Sequence, residues 1–162
     1  QTQGAAASIL MAIEYIDNDM ELIVSNYDQL ILSDINQSIN DARKQNLDAF
    51  VLSFESIHPR WSFVRLDENE NVIETSEKRP ISNKAIAGFY YFKHGSDFVE
   101  GAKEMIKKEA HVNGLYFTAP ALNELVLKNK KIKQFNIDKK DYESFYSPSL
   151  IDKYIQKIKN GN

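Results

Sequence analysis

The sequence predicts one α/β domain built on a mixed sheet. Segments typical of helices and of buried strands alternate over the first third of the chain, as they do in a wound α/β sheet. The segment 61–77 then alternates in polarity around a polar turn cluster, which indicates an antiparallel hairpin. A chain of 162 residues is the size of one domain and is long enough to bury a substantial core.

In the first third, residues 4–16 predict a helix with Ile9, Ala12, Ile13 and Ile16 on one face. Residues 21–26 predict a short buried strand that ends in a polar tip. A second helix follows over 34–45. The nearly continuous apolar run at 49–54 is typical of a strand in a parallel sheet covered on both faces.

The second helix has two candidate caps. Ser33 and Asp34 both precede its apolar positions, and either side chain can accept a hydrogen bond from the first turn.

In the middle of the chain, residues 61–66 and 72–77 predict the hairpin, with the turn at 67–71. Residues 85–92 follow as a long aromatic strand, which contains Gly88. We expect these strands to extend the same sheet.

The last third returns to helices. Ser96 can cap a helix that runs to about residue 108, and Pro120 suits the first turn of a helix over 119–127. Residues 131–137 predict an edge strand. A closing helix over 148–159 has its apolar positions at Leu150, Ile151, Tyr154, Ile155 and Ile158.

The composition excludes several classes of protein. The absence of cysteine excludes a disulfide scaffold, a cysteine-ligated zinc site, an iron–sulfur cluster and a thiol nucleophile. No apolar run approaches the ~20 residues of a membrane-spanning helix, and the first residues lack the regions of a signal peptide. We therefore expect a cytoplasmic protein without a membrane partner.

The charge is nearly balanced but unevenly distributed. The chain has 20 basic and 23 acidic residues, which gives a net charge of −3 and does not indicate nucleic-acid binding. Residues 1–100 contain 8 basic and 16 acidic residues, whereas residues 101–162 contain 12 and 7. We interpret the late lysines, including those at 128–131, as a solvated face rather than a site for a polyanion.

Asp28 is the first candidate for a functional residue. It directly follows the strand at 21–26, and ligands of open α/β sheets bind at the carboxyl ends of strands. A single carboxylate there suits Mg²⁺, which binds through one or two protein carboxylates together with substrate phosphates. The structural alternative is an Asx turn.

Glu77, Lys78 and Gly88 are further candidates. Glu77 and Lys78 follow the hairpin, where a lysine can offer a point charge to a phosphate and a glutamate can bind hydroxyl groups; the alternative is a charged turn. Gly88 interrupts a strand of bulky residues, which indicates either the close approach of a ligand or backbone, or a simple bulge. His58, His94 and His111 have no metal-ligand spacing, and we interpret them as surface or structural residues.

Taken in order, these segments resemble the sugar-phosphate nucleotidyltransferases, the family of nucleoside-diphosphate-sugar pyrophosphorylases. Their capsular or surface-polysaccharide branch is the most similar. The matching segments are 2–6, 24–29, the hairpin before Glu77-Lys78, 87–92, 113–117 and Asn123.

The resemblance implies a Rossmann-like three-layer α/β/α sandwich over residues 1–162. It also implies Mg²⁺-dependent transfer of a nucleotidyl group from a nucleoside triphosphate to a phosphorylated small-molecule acceptor, with release of pyrophosphate. Asp28 would hold the metal, Lys78 the acceptor phosphate and Glu77 its hydroxyls. The remaining implied positions are Gly88 and Asn123 beside the acceptor, and Gln3 and Gly4 against the base.

Two departures from the family accompany the resemblance. The family's first strand and its Gly-rich phosphate loop have no counterpart, so we expect an N-terminally truncated domain that is inactive alone and that self-associates through the exposed edge. The second metal ligand of the family falls at Ser144. Asp141 and Glu143 are the candidates to replace it.

The sequence leaves two other functions open. Asn26-Tyr27-Asp28 also resembles the acidic metal motif of a glycosyltransferase that uses nucleotide sugars. A chain without the phosphate loop is also compatible with a non-catalytic module that binds a nucleotide sugar. The sequence selects neither the nucleotide nor the acceptor.

Overall fold

A computed structural model describes residues 2–160 of the chain, which form a mixed sheet with helices on both sides. The helices are α1 (Ala5–Leu10), α2 (Ile13–Ile16), α3 (Ile35–Lys44), α4 (Gly95–Lys107), α5 (Thr118–Leu127) and α6 (Pro148–Lys159). The strands are β1 (Leu22–Ser25), β2 (Gln29–Ile31), β3 (Ala49–Glu55), β4 (Ser62–Leu66), β5 (Val72–Glu77), β6 (Lys84–Phe92), β7 (Ile132–Asn136) and β8 (Tyr142–Ser144).

The main sheet has six strands in the order β5-β4-β6-β3-β7, and β1 pairs with β6 beside β4. Only β3 and β7 pair in parallel, and every other pair in this sheet is antiparallel. The buried strand predicted at 49–54 is β3. It has the expected parallel neighbour, β7, on one edge, but its neighbour on the other edge, β6, is antiparallel. A continuous apolar run indicates that both faces are covered, but it does not fix the direction of the neighbouring strand.

Two layers cover this sheet. Helices α1, α2, α4 and α5 pack on one face, where Phe98 and Leu122 are fully buried. Helix α3 and the small sheet formed by β2 and β8 cover the other face, where Ala42 and Tyr142 belong to a second core cluster. The predicted α/β/α arrangement is confirmed.

The predicted helix at 4–16 is two shorter helices. The N–H groups of Met11 and Ala12 donate to carbonyl groups three residues back, at 3.2 and 3.0 Å, and this tightened turn ends α1. Residues of both helices, Leu10 and Ile13 among them, pack against the same core cluster.

The structure shows where two other helices begin. It decides which residue caps α3 and corrects the predicted start of α4. Asp34, not Ser33, caps α3, because its side chain accepts the N–H of Gln37 at 3.2 Å. Helix α4 begins at Gly95, one residue before the predicted cap Ser96. Only glycine fits there, since a Cβ at Gly95 would stand 2.1 Å from the carbonyl oxygen of Ile16.

The sheet of β2 and β8 was not predicted. Each strand has only three residues, which is too short for a readable alternation, and Gln29 pairs with Ser144 while Ile31 pairs with Tyr142. The ring of Tyr142 stacks on Phe54 with 4.7 Å between centroids, so packing against the main sheet holds this segment in place.

The contacts of the late lysines and the burial of the closing helix both differ from what the sequence predicts. Lys130 bridges Asp97 at 2.9 Å and Asp48 at 3.6 Å, and Lys128 pairs with Glu100, so part of the basic run is bound to this chain's own carboxylates. Helix α6 buries no residue, and Ile158 is 60% exposed. Among the helices of residues 2–160, none combines the length and the apolar character that a membrane span requires.

Candidate functional site

A cavity of about 500 Å³ opens where β6 changes its partner. Along one edge of β6, Ala85 pairs with Phe63 of β4, while Phe89 pairs with Ser25 of β1. Gly88 lies at this change with a left-handed φ of 59°. The main sheet therefore splits at Gly88, and the space between β4 and β1 becomes the cavity.

Four residues singled out from the sequence line this cavity: Asp28, Glu77, Lys78 and Gly88. They come from three parts of the chain, which converge because β1 and β4 both pair with β6 and β5 pairs with β4. The other lining residues are Ala5, Asn26, Arg60, Trp61, Ser62, Ile86, Tyr90, Phe117, Thr118, Ser144 and Tyr146.

Asp28 lies in the loop between β1 and β2. Its backbone carbonyl accepts the N–H of Phe145 at 2.7 Å, which ties the loop to the chain after β8. Within residues 2–160, no side chain donates a hydrogen bond to the Asp28 carboxylate, so its oxygens remain available to a ligand. Burial, together with the charge of Asp28, raises the pKa of nearby Tyr142 to about 12.

Glu77 is held by Ser62 on the neighbouring strand. The Ser62 hydroxyl donates to Oε2 of Glu77 at 2.5 Å. Burial raises the pKa of Glu77, although the Ser62 hydrogen bond and the positive charge of Lys78 oppose this effect. The second carboxylate oxygen of Glu77 remains to accept a hydrogen bond from a ligand hydroxyl.

Tyr90 lies deep in the cavity wall, close to Glu77. Burial, and then the charge of Glu77, raises the pKa of the Tyr90 phenol above its ordinary value of 10. Tyr90 is therefore a neutral hydrogen-bond donor at neutral pH.

Lys78 stands at the end of β5 in a left-handed conformation, with φ 55°. Its N–H donates to the carbonyl of Trp61 at 3.0 Å. Its Nζ lies 4.8 Å from the centre of the Phe117 ring, and within residues 2–160 no carboxylate is within salt-bridge distance. An anion can therefore bind this ammonium group without displacing an ion pair.

Arg60 is a cavity residue that sequence reasoning missed. Its guanidinium lies 4.1 Å from the centre of the Trp61 ring and 4.6 Å from that of Tyr146. Tyr146 comes from the segment after β8, more than eighty residues away, so no local pattern reveals the contact. Ser62, Tyr90 and Phe117 were missed for the same reason.

Gln3 and Gly4 lie beside the cavity rather than in its lining. The carbonyl of Gln3 accepts the N–H of Tyr116 at 2.8 Å, and the next residue, Ala5, is part of the wall. Gly4 has φ 106°, and a Cβ there would stand 2.4 Å from the carbonyl oxygen of Tyr116. Close packing of two backbone segments therefore requires glycine at this position.

Asn123 does not line the cavity. Its side-chain oxygen accepts the backbone N–H of Thr75 at 2.7 Å, and its side-chain nitrogen donates to the carbonyl of Thr75 at 3.0 Å. The amide thus pairs with the outer edge of β5 as another strand would.

Asp141 and Glu143, the candidates for a second metal ligand, are not brought into the cavity either. Glu143 pairs with Lys157 at 2.7 Å, and Asp141 accepts a hydrogen bond from Ser33 at 3.4 Å. Ser144, from the same strand as Glu143, lines the cavity instead.

The donor set at the cavity fits Mg²⁺ through one protein ligand. Among residues 2–160 there is no group of three or more His, Asp or Glu side chains that could hold a metal ion. Mg²⁺ commonly binds through one or two carboxylates and completes its shell with substrate phosphates and water. Asp28 suits that arrangement because it lines the cavity and, within residues 2–160, no side chain donates a hydrogen bond to its carboxylate.

The three histidines take part in local contacts to the backbone. His58 Nδ1 accepts the N–H of Arg60 at 3.2 Å, His111 Nδ1 accepts the N–H of Gly114 at 3.2 Å, and His94 Nδ1 lies 2.9 Å from the carbonyl of Asp19. None of them lines the cavity.

No protein-family model matches the sequence, and a comparison with curated proteins found no significant match. Solved structures do match. A nucleoside-diphosphate-sugar pyrophosphorylase from Vibrio cholerae RC9 is 24% identical with a TM-score of 0.80, over 96% of this chain and 66% of that one. This chain has the same fold.

A second similar structure is from Bacillus anthracis. It carries the name of a glucose-1-phosphate thymidylyltransferase and was solved in complex with a sucrose. It is 20% identical with a TM-score of 0.71, over 94% of this chain and 60% of that one. At these identities the likeness shows the fold, and the chain spans less than two thirds of either protein.

Proposed function

We propose that this chain belongs to a sugar-phosphate nucleotidyltransferase. The protein would transfer a nucleotidyl group from a nucleoside triphosphate to a sugar phosphate or a related phosphorylated acceptor. The observation that carries the proposal is the convergence of Asp28, Glu77 and Lys78 at the cavity beside Gly88. The shared fold with two proteins whose names denote this class of transfer supports it.

In the proposed reaction, an oxygen of the acceptor phosphate attacks the α-phosphorus of the triphosphate. A new phosphorus–oxygen bond forms, the bond from that phosphorus to the oxygen bridging to the β-phosphorus breaks, and pyrophosphate leaves. Such reactions need mainly positioning and neutralisation of charge, with little covalent work by the protein. A cavity lined by the Lys78 ammonium and by the half-buried carboxylates of Asp28 and Glu77 can meet these needs.

The chain's own residues divide this work. Lys78 holds the acceptor phosphate, because its ammonium has no carboxylate partner among residues 2–160. Glu77, oriented by Ser62, accepts hydrogen bonds from acceptor hydroxyls, and Tyr90 offers a neutral donor beside it. Gln3 and Gly4 lie against the nucleobase next to the wall residue Ala5.

Asp28 would hold Mg²⁺, which when bound supplies neutralisation of phosphate charge. The observation in favour is that Asp28 lines the cavity and that, within residues 2–160, its carboxylate accepts no side-chain hydrogen bond. With Asp141 and Glu143 engaged elsewhere, we propose that Asp28 is the principal protein ligand.

The remaining parts of the proposal follow the family resemblance. The nucleotide-activated sugar would serve surface-polysaccharide synthesis, the reaction would take place in the cytoplasm, and the protein would form homo-oligomers. Size-exclusion chromatography over a range of concentrations tests the last point, and a monomer at the highest concentration would contradict it.

The proposed function is tested by identifying the product that the protein releases. The longest natural polypeptide that contains this chain would be incubated with Mg²⁺, each of CTP, UTP, GTP and dTTP, and a panel of sugar 1-phosphates. We expect pyrophosphate release that requires both substrates. Release of a nucleoside diphosphate from a nucleotide sugar would instead indicate a glycosyltransferase. Thermal stabilisation by a nucleotide sugar without turnover would indicate a binding module.

A further inference from the structure

Arg60 carries a charge that no carboxylate of residues 2–160 neutralises. The chain has four arginines, and the other three form ion pairs: Arg43 with Glu21 at 2.6 Å, and Arg65 and Arg79 with Glu74 at 2.9 and 3.2 Å. The Arg60 guanidinium instead contacts the rings of Trp61 and Tyr146, at the wall of the cavity.

The two rings orient the Arg60 guanidinium without neutralising it. An aromatic face attracts a cation, but it leaves the full positive charge and the N–H donors free. Arg60 is exposed at the cavity wall, so its N–H donors can reach a ligand. The planar fork of a guanidinium matches two oxygens of a carboxylate or a phosphate.

The backbone links Arg60 to the residues assigned to the acceptor. The carbonyl of the next residue, Trp61, accepts the N–H of Lys78 at 3.0 Å, and the hydroxyl of Ser62 holds Glu77 at 2.5 Å. Arg60 therefore belongs to the same wall as the Glu77-Lys78 pair. In the proposed function Lys78 already serves the acceptor phosphate, so the Arg60 donors are free for another anion.

We propose that the acceptor carries a second anionic group, a carboxylate or a further phosphate, and that Arg60 binds it. This inference rests on the proposed function and narrows its substrate to doubly anionic acceptors. Arg60 then determines specificity, and Lys78 provides the binding shared by all phosphorylated acceptors.

The test is equilibrium binding to the chain by calorimetry, with three probes. Glucose 1-phosphate has one anionic group, glucuronic acid 1-phosphate adds a carboxylate, and glucose 1,6-bisphosphate adds a phosphate. We expect at least one doubly anionic probe to bind about tenfold or more tightly than glucose 1-phosphate, since a charge-assisted pair of hydrogen bonds commonly contributes that much. Whichever doubly anionic probe binds more tightly identifies the second anionic group as a carboxylate or as a phosphate.

Substitutions test whether Arg60 causes the preference for doubly anionic probes. We expect Arg60→Gln to remove this preference by weakening the doubly anionic probe far more than glucose 1-phosphate, and Arg60→Lys to retain only part of it, since lysine lacks the planar fork. Arg65→Gln is the matched control, because Arg65 lies on β4 outside the cavity and pairs with Glu74. This control should keep the full preference.

Three results would overturn the inference: no preference for either doubly anionic probe, a preference that persists in Arg60→Gln, or no binding of any probe. Loss of triphosphate affinity alone in Arg60→Gln would overturn it too, because Arg60 would then serve the nucleotide. Pyrophosphate release tests the proposed function independently of the role of Arg60. Turnover of glucose 1-phosphate without any preference refutes only this inference, whereas Arg60-dependent binding without pyrophosphate release refutes only the function.

Discussion

The carbonyl of Gly88 accepts the backbone N–H of Asn26 at 2.9 Å, and the Asn26 side chain occupies the space where a Cβ at residue 88 would stand. The side-chain nitrogen of Gln29 donates to the same carbonyl at 3.1 Å. These contacts fix the end of β1 to the split in β6. Asp28, two residues after Asn26, is thereby held at the cavity.

Gly88→Ala should destabilise the chain and disturb the cavity. The new Cβ would stand 2.3 Å from the side-chain nitrogen of Asn26, at a backbone φ of 59°. We expect a loss of about 2–3 kcal/mol in the free energy of unfolding, from backbone strain and displacement of the Asn26 side chain together. Urea denaturation measures this loss.

Gly114→Ala is the control for Gly88→Ala. It also has a positive φ, 76°, but a Cβ there meets nothing within 4 Å. We expect this variant to lose only about 1 kcal/mol, from the backbone conformation alone. Equal losses in the two variants would show that contact with Asn26 contributes nothing.

Asp28→Asn should abolish turnover without affecting folding. The substitution removes the charge proposed to hold Mg²⁺, and no side-chain hydrogen bond to the Asp28 carboxylate is lost within residues 2–160. We expect kcat for pyrophosphate release to fall at least about a hundredfold, with an unchanged melting temperature. Asp152→Asn, on the exposed part of α6, should leave kcat unaltered. Full activity in Asp28→Asn would refute the role given to this residue.

Glu77→Gln should change how stability depends on pH. Because burial raises the pKa of Glu77 above 4.5 in the folded chain, the folded state keeps this proton to a higher pH than the unfolded chain does. The stabilising contribution of the protonated form is fully present below pH 4.5 and is lost as the pH rises through the folded pKa. Glutamine cannot ionise, so we expect the variant to lack this decline.

Denaturant unfolding at several pH values between 4 and 8 measures the effect of Glu77→Gln. Glu68→Gln, in the exposed turn before β5, is the control and should follow the wild-type profile. Parallel profiles for Glu77→Gln and wild type would contradict the raised pKa. In the turnover assay, Glu77→Gln should also raise KM for the acceptor.

Asn123→Ala should reduce stability and leave acceptor binding unchanged. Its amide satisfies both the N–H and the carbonyl of Thr75, a buried residue, so alanine leaves these groups without partners. We expect a loss of about 1–3 kcal/mol in the free energy of unfolding. Asn136→Ala, an exposed position on β7, should change stability by less than about 0.5 kcal/mol.

The opposite result for Asn123→Ala is informative. A higher KM for the acceptor at unchanged stability would support the sequence-based placement of Asn123 beside the sugar, against its observed pairing with β5.

Much of the fold could be predicted because its signals are local. The apolar run at 49–54 and the hairpin around 67–71 each depend on residues that are neighbours in sequence, and both occur as predicted. The break after Leu10 was missed, because the apolar positions of residues 4–16 keep one helical period across it, and residues on both sides pack against the same core cluster. The three-residue strands β2 and β8 were missed because they are too short to show a period.

For the candidate site, the sequence by itself selected Asp28, Glu77, Lys78 and Gly88 by their positions at the ends or in the middle of strands. Only the tertiary structure decided that they share one cavity with Arg60, and that Asn123, Asp141 and Glu143 lie elsewhere. The physical reason is the range of the interactions. Hydrophobic periodicity and turn chemistry act over a few residues, whereas the change of partner along β6 and the stacking of Arg60 on Tyr146 depend on segments far apart in sequence.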